Sequence, residues 1–149
     1  MVIIYTTPSC AGCRKAKKWF DEHKVKYIEK NIFTQPITEE DIELMIENSE
    51  NGFDDIISTR SKIITDSNID INEMTVNELK KFIIKNPSIL RRPIIIEDKK
   101  LQVGYNDEEI RAFIPKRLRQ IIMTSACTGN EKCDYLNCLE KYLKELDKE

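Results

Sequence analysis

Two cysteines, Cys10 and Cys13, stand in the stretch Ser9-Cys10-Ala11-Gly12-Cys13-Arg14-Lys15. At that spacing one thiol can resolve an oxidised state of the other by closing a disulfide. The residues before them, Val2-Ile3-Ile4-Tyr5-Thr6, make a short apolar run rich in β-branched side chains and bounded by Pro8 and Ser9. Such a run reads as a buried strand. From Ala11 to His23 the period changes, with Cys13, Ala16, Trp19 and Phe20 on one helical stripe and Arg14, Lys15, Lys17 and Lys18 on the other. The pair therefore falls where a strand gives way to a helix. A helix N-terminus exposes unpaired N–H groups and about half a positive charge, and both favour a thiolate. A C-x-x-C opening a helix in a βαβ pattern is a redox signature. The competing use is half of a zinc site, or two buried thiols. Zinc needs two further ligands, and the chain offers one histidine, His23, with its other cysteines at 127, 133 and 138.

The elements that must hold this pair follow along the chain. Val25 to Ile32 reads as a second strand. Thr38-Glu39-Glu40-Asp41 opens a helix with Ile42, Met45 and Ile46 inward, and Gly52 follows its end, where a positive φ is expected. Thr75-Val76-Asn77-Glu78 is a capping box for a helix whose Val76, Leu79, Phe82 and Ile83 face inward, stopped by Pro87. Pro93-Ile94-Ile95-Ile96 is a core strand, turned by Glu97-Asp98-Lys99-Lys100 into Leu101-Gln102-Val103 and closed by Gly104. Asn106 caps a helix running through Ile110 and Phe113 to Pro115. The order predicts an α/β, thioredoxin-like (arsenate-reductase-like) mixed sheet with flanking helices over residues 1–115. Such folds place a cis-proline before a strand, facing the C-x-x-C, and Arg92-Pro93-Ile94 stands in that place. Residues 116–130 read as a linker. Tyr135, Leu136, Leu139, Tyr142, Leu143 and Leu146 then recur at helical spacing, which predicts a C-terminal amphipathic helix over 131–149.

With 149 residues, 24 Lys+Arg, 26 Asp+Glu and a net charge of −2, the chain is one globular domain rather than a strongly basic nucleic-acid binder. No apolar run approaches the roughly 18 residues of a membrane span, and no signal peptide opens the chain, so a cytoplasmic protein is expected. The charge is unevenly placed. Residues 31–79 carry a net of −10, between basic stretches of +4 (1–30) and +6 (80–120). An acidic block of this kind steers a basic partner, or is a solvated helical surface.

Four stretches, taken in order, resemble the Spx family of thiol-based transcriptional regulators, in the arsenate-reductase-like branch of the thioredoxin fold. They are Tyr5-Thr6-Thr7-Pro8-Ser9-Cys10-x-x-Cys13-Arg14-Lys15-Ala16 with Asn31-Ile32-Phe33, Ile56-Ile57-Ser58-Thr59-Arg60-Ser61-Lys62, Leu90-Arg91-Arg92-Pro93-Ile94-Ile95-Ile96, and Leu101-Gln102-Val103-Gly104-Tyr105-Asn106 with Glu109-Ile110-Arg111. The resemblance spans about residues 1–120. It implies a non-enzymatic regulator, without cofactor or metal, that binds the C-terminal domain of the RNA polymerase α subunit and redirects polymerase to thiol-stress genes. Cys10 and Cys13 would be the switch disulfide and Gly52 would lie at the α-subunit contact. Arg92 would respond to the disulfide, with Arg60 as a further arginine coupled to the switch or to anion binding. Promoter DNA would be met only within the polymerase complex, since Lys116-Arg117-Leu118-Arg119 supplies just a weak, salt-sensitive contact. A protease adaptor is another partner the resemblance brings in.

The alternative is an arsenate-reductase-like or disulfide oxidoreductase enzyme using Cys10, with Arg60 and Arg92 forking onto an oxyanion. Against arsenate reduction, Thr6 stands where the reductases carry a histidine, and their third arginine is replaced around Tyr105. The chain also continues beyond the point where Spx proteins end. Cys133 and Cys138 are five apart, about 140° around one helix, and read as packing residues flanking the apolar stripe.

Overall fold

The computed structural model describes residues 1–124 and 131–148, without the side chains of 131–134. The first strand, β1 (Val2–Thr6), runs into helix α1 (Ala11–Glu22), which returns through β2 (Tyr27–Asn31) to a parallel pairing with β1. Strand β3 (Ile94–Glu97) pairs antiparallel on the other side of β1, and β4 (Lys100–Val103) antiparallel on β3. The mixed sheet has the order β2-β1-β3-β4, and the expected α/β thioredoxin-like fold is what forms.

Alternation along the central strands divides the core into two layers. Val2, Ile4 and Ile95 face α1 together with Ala16, Trp19 and Phe20, while Tyr5, Ile94 and Ile96 face the opposite layer. That second layer holds α2 (Glu39–Glu47), α3 (Phe53–Ile56), α4 (Lys62–Asp66) and α5 (Val76–Lys85). Both predicted capping boxes are present. Thr38 Oγ1 accepts from Asp41 N while Asp41 accepts from Thr38 N, and Thr75 and Glu78 do the same for α5. Asn106 does not cap the helix expected after it. Its Oδ1 accepts from the N–H groups of Glu108 and Glu109 in the preceding turn, Glu108 is the N-cap, and the helix over Glu109–Phe113 is 3₁₀, wound tighter than α.

Several expectations change. The second strand begins at Tyr27, because Lys24 takes a positive φ of 55° and Val25 N–H is spent on Phe20 O in closing α1. Gly52 has the expected positive φ, 64°, but it opens α3 and does not close α2, which ends at Glu47 with Asn48 as its cap. Val76 is 57 % exposed because the capping turn points it outward, leaving Leu79 and Ile83 to anchor α5. The segment expected as a linker opens with helix α6 (Lys116–Thr124), whose Leu118 and Ile121 are buried in the α1 layer. The rest of that segment, with Cys127, lies outside the described residues.

Helix α7 (Glu131–Leu146) packs on the α1 layer through Tyr135, Cys138 and Leu139. Tyr135 Oη donates to the His23 carbonyl at the end of α1, and its ring meets the His23 ring edge-on. Cys138 is buried as a packing residue. The Cys133 side chain lies outside the described set. No helix among the described residues is long and apolar enough to cross a membrane.

Candidate functional site

Cys10 is the N-cap of α1, in extended conformation (φ −99°, ψ 112°), and its sulfur accepts a hydrogen bond from Cys13 N at 3.0 Å. The cap thus delivers one of the orphan donors of the helix to sulfur, as the sequence implied. Cys10 and Cys13 are joined as a disulfide with Cα atoms 5.2 Å apart, inside the range a disulfide spans without backbone movement. Cys13 is 1 % exposed on the core stripe, while Cys10 is half-buried at the rim. An oxidant or attacking thiol therefore reaches Cys10 first.

Across from the pair, the Arg92–Pro93 peptide is cis, in the place expected for it. The contact between the two runs through Gly12. A Cβ built on Gly12 would stand 3.1 Å from Pro93 Cδ and 3.9 Å from the Arg92 carbonyl oxygen. Glycine here admits the Arg92–Pro93 backbone to the disulfide ring. The sequence signal was a helix-weakening residue in the first turn, a cost that calls for a compensating reason. Tyr105 lies on the same side, its Cβ 3.7 Å from that position, and its hydroxyl donates to Asp107. Burial, with the Asp107 carboxylate beside it, pushes the phenol up to about 12.

At the end of β1, buried Thr6 donates to Glu29 Oε1 at 2.8 Å, and Lys17 binds the same oxygen at 3.0 Å. Lys17 first, and then Thr6, hold the Glu29 carboxyl below its ordinary value. This link ties β1, α1 and β2 together beside the dithiol, and sequence reasoning passed over it because its three members are far apart in the chain. Deeper in the opposite layer, Tyr5 Oη and Lys30 Nζ both donate to Asp41. Burial alone would raise Asp41, but hydrogen bonds from Thr38, Lys30 and Tyr5 bring it below the usual carboxylate range. Burial and the Asp41 partner raise Tyr5 strongly.

Arg60 and Arg92 are both exposed, and among the described residues neither makes a hydrogen bond or ion pair. Their segments do meet. Ser58 N–H donates to Ile89 O and Arg91 N–H to Ile56 O, flanking the Ile57–Leu90 bridge. The arginine fixed by the fold is Arg91, unforeseen from sequence, whose Nε donates to Ile57 O at 3.2 Å. Gly52 stands apart on the acidic block, where an added Cβ would meet nothing within 4 Å. Asp55 holds this loop by accepting from Glu50 N, Asn51 N and Asn51 Nδ2. Among the described residues no group of three metal-ligating side chains comes together.

A C-x-x-C at a helix N-terminus, set against a cis-proline on a mixed four-stranded sheet, defines a dithiol–disulfide module of thioredoxin type. Residues 5–113 match the ArsC family. The chain is 50% identical over 119 residues to the global transcriptional regulator Spx of Listeria innocua, covering 80% of this chain and 91% of that protein. It is 44% identical over 126 residues to the global transcriptional regulator Spx of Bacillus subtilis, covering 85% and 96%. Among solved structures, a putative ArsC family related protein from Bacteroides fragilis superposes with a TM-score of 0.66 at 23% identity, covering 75% of this chain and 96% of that one. An arsenate reductase from Vibrio cholerae gives a TM-score of 0.63 at 12% identity, covering 76% and 94%, which speaks for the fold alone. The chain belongs to the ArsC family and, within it, to the Spx group of transcriptional regulators.

Proposed function

We propose that the chain is a redox-sensing transcriptional regulator that binds the C-terminal domain of the RNA polymerase α subunit. On this reading it interferes with activators, and it directs transcription of thiol-stress genes when Cys10 and Cys13 are joined. The observation that carries the reading is the seating of the Cys10–Cys13 disulfide against the Arg92–Pro93 segment through Gly12. Closing the bond takes two electrons and two protons from the two thiols, delivered to a peroxide or a disulfide; a reducing thiol returns them. Cys10 Sγ accepts from Cys13 N while bonded, reduction leaves it as a free sulfur at the same cap, and the change is felt at Arg92. The expected response is a population shift near Arg92 rather than a refolding.

Gly52 leaves open space where a side chain would stand, inside the acidic block, which suits close approach of a basic partner domain. Arg60 and Arg92, exposed and unpaired among the described residues, are available to the same partner. Residues 1–115 carry this activity, with 131–149 as a helical extension docked behind it. Promoter DNA is met within the polymerase complex, and the dithiol needs no cofactor.

Calorimetry of the full chain against the purified α C-terminal domain tests this. The double variant Glu47→Lys/Asp54→Lys reverses two exposed charges beside Gly52 without touching the Asp55 hydrogen bonds. Its affinity should fall at least about tenfold, with the unfolding midpoint held. Failure of the wild-type chain to bind in either redox state, or binding indifferent to the charge reversal, would overturn the reading. Substitutions at Gly52 itself are a weaker test, because φ 64° with ψ −130° is a glycine conformation that any side chain strains.

A further inference from the structure

We propose that the cleft along the free edge of β4 is a docking site for an extended peptide segment of a partner protein, which joins the sheet as a fifth strand. Strand β4 is terminal in the order β2-β1-β3-β4. Gly104 N–H donates to Pro93 O at 2.8 Å, and this sets the phase of the antiparallel ladder. Alternation then turns the backbone groups of Lys100 and Gln102 toward β3 and those of Leu101 and Val103 outward. An open edge of this kind is a template for another strand unless something blunts it.

The edge here is recessed. A cleft of about 610 Å³ wraps it, walled by Ser49, Glu50 and Arg91 on one face of the sheet and by Glu109 and Phe113 on the other. Walls on both faces leave room for a single strand and hold off the edge of a second globular copy. That geometry selects a peptide over self-association.

A second, independent observation points into the same cleft. Gln102 is 5 % exposed and lines it, and its Nε2 donates to Gly104 O at 3.2 Å. Its Oε1 is buried and has no hydrogen-bond partner among the described residues. Buried acceptors are rarely left unmet, and on this proposal a donor from the incoming strand meets this one. Side-chain alternation specifies the rest. The peptide residue facing Gln102 carries a donor (Asn, Gln, Ser or Lys), and its two neighbours, facing Leu101 and Val103, are apolar. The site is separate from the dithiol, and its Glu50 and Asp55 wall adjoins the Gly52 loop, but strand pairing along β4 does not rest on the polymerase reading.

The test uses the full-length chain and a random dodecapeptide display library, followed by the enriched peptides in synthetic form. Enrichment of an apolar–donor–apolar triplet is expected, together with slowed amide exchange at Leu101 and Val103 when peptide is bound. Val103→Pro removes one outward N–H at an edge position that tolerates proline, and should weaken binding about tenfold. Gln102→Leu should weaken it severalfold while leaving unfolding cooperative. Should Val103→Pro fail to fold, the exchange pattern on the wild-type chain decides alone. No enriched peptide, unchanged exchange at Leu101 and Val103, or equal affinity for folded variants would each overturn the proposal.

Discussion

At the residue scale the two cysteines differ in reach although they share one bond. Cys10 caps the helix at the rim while Cys13 is shut into the core stripe. In the reduced protein, iodoacetamide should therefore alkylate Cys10 at least about tenfold faster than Cys13. Peptide mapping of a time course reads this directly, and equal labelling would contradict the placement of Cys13. His23 offers a second test, because it is the only histidine and is stacked on Trp19 at 3.9 Å between ring centroids. Burial holds its imidazole below the ordinary value, helped by the charge of Arg111 and opposed by the Trp19 carbonyl and Glu22. The unfolded chain takes up that proton near pH 6.5 and the folded chain only at lower pH. Stability contributed here is thus intact above about pH 6.5 and falls as pH drops toward the folded value. An NMR titration of the single imidazole should give a midpoint below 6.5, and a midpoint above it would refute the packing. Cys10, Cys13 and Pro93 were legible in the sequence because spacing and position carry their chemistry. Arg91 was not, since its partner, the Ile57 carbonyl, is brought to it only by the fold.

At the element scale the decisive join is between α1 and the Arg92–Pro93 segment. Gly12→Ala keeps a helix-compatible backbone but sets a methyl 3.1 Å from Cδ of Pro93, a buried ring that must shift to admit it. We expect a loss of about 1–2 kcal/mol in urea unfolding with an unchanged slope, the size of an overpacked contact. A neutral outcome would mean that the join is loose. Elements with local signals were legible from sequence, as the Thr38 and Thr75 capping boxes and the β3–β4 hairpin show. The stretch from 53 to 73 was not. Helix α3 has four residues and α4 five, too short for periodicity or propensity to report, and the Ile57–Leu90 bridge holds that region by tertiary pairing. Val76 misled for a related reason: a capping turn and an apolar stripe overlapped, and the turn decided where the side chain points.

At the scale of the whole molecule, the match to the ArsC family ends at Phe113, and α6 and α7 lie beyond it. They complete the α1 layer of the core. Tyr135, Cys138 and Leu139 bury against the layer that holds Trp19 and Phe20, and the exposed Arg117–Glu145 pair adds little at the rim. The periodicity of α7 was readable, but an apolar stripe does not name the surface that it covers. Tyr135→Ala should cost about 3 kcal/mol through lost burial and a lost hydrogen bond to His23 O. Truncation after Thr124 should shift the emission of Trp19, now 8 % exposed, to longer wavelength. An unshifted spectrum would show that α7 does not cover this layer.

The central claim is that the bond between Cys10 and Cys13 changes how the chain meets polymerase. The most direct measurement is the affinity of one preparation for the α C-terminal domain, oxidised and then reduced, beside a Cys10→Ser chain that cannot close the bond. We predict that the oxidised and reduced affinities differ, that Cys10→Ser matches the reduced value, and that it ignores oxidant. Equal affinities in both states, or an oxidant response that survives in Cys10→Ser, would contradict the account.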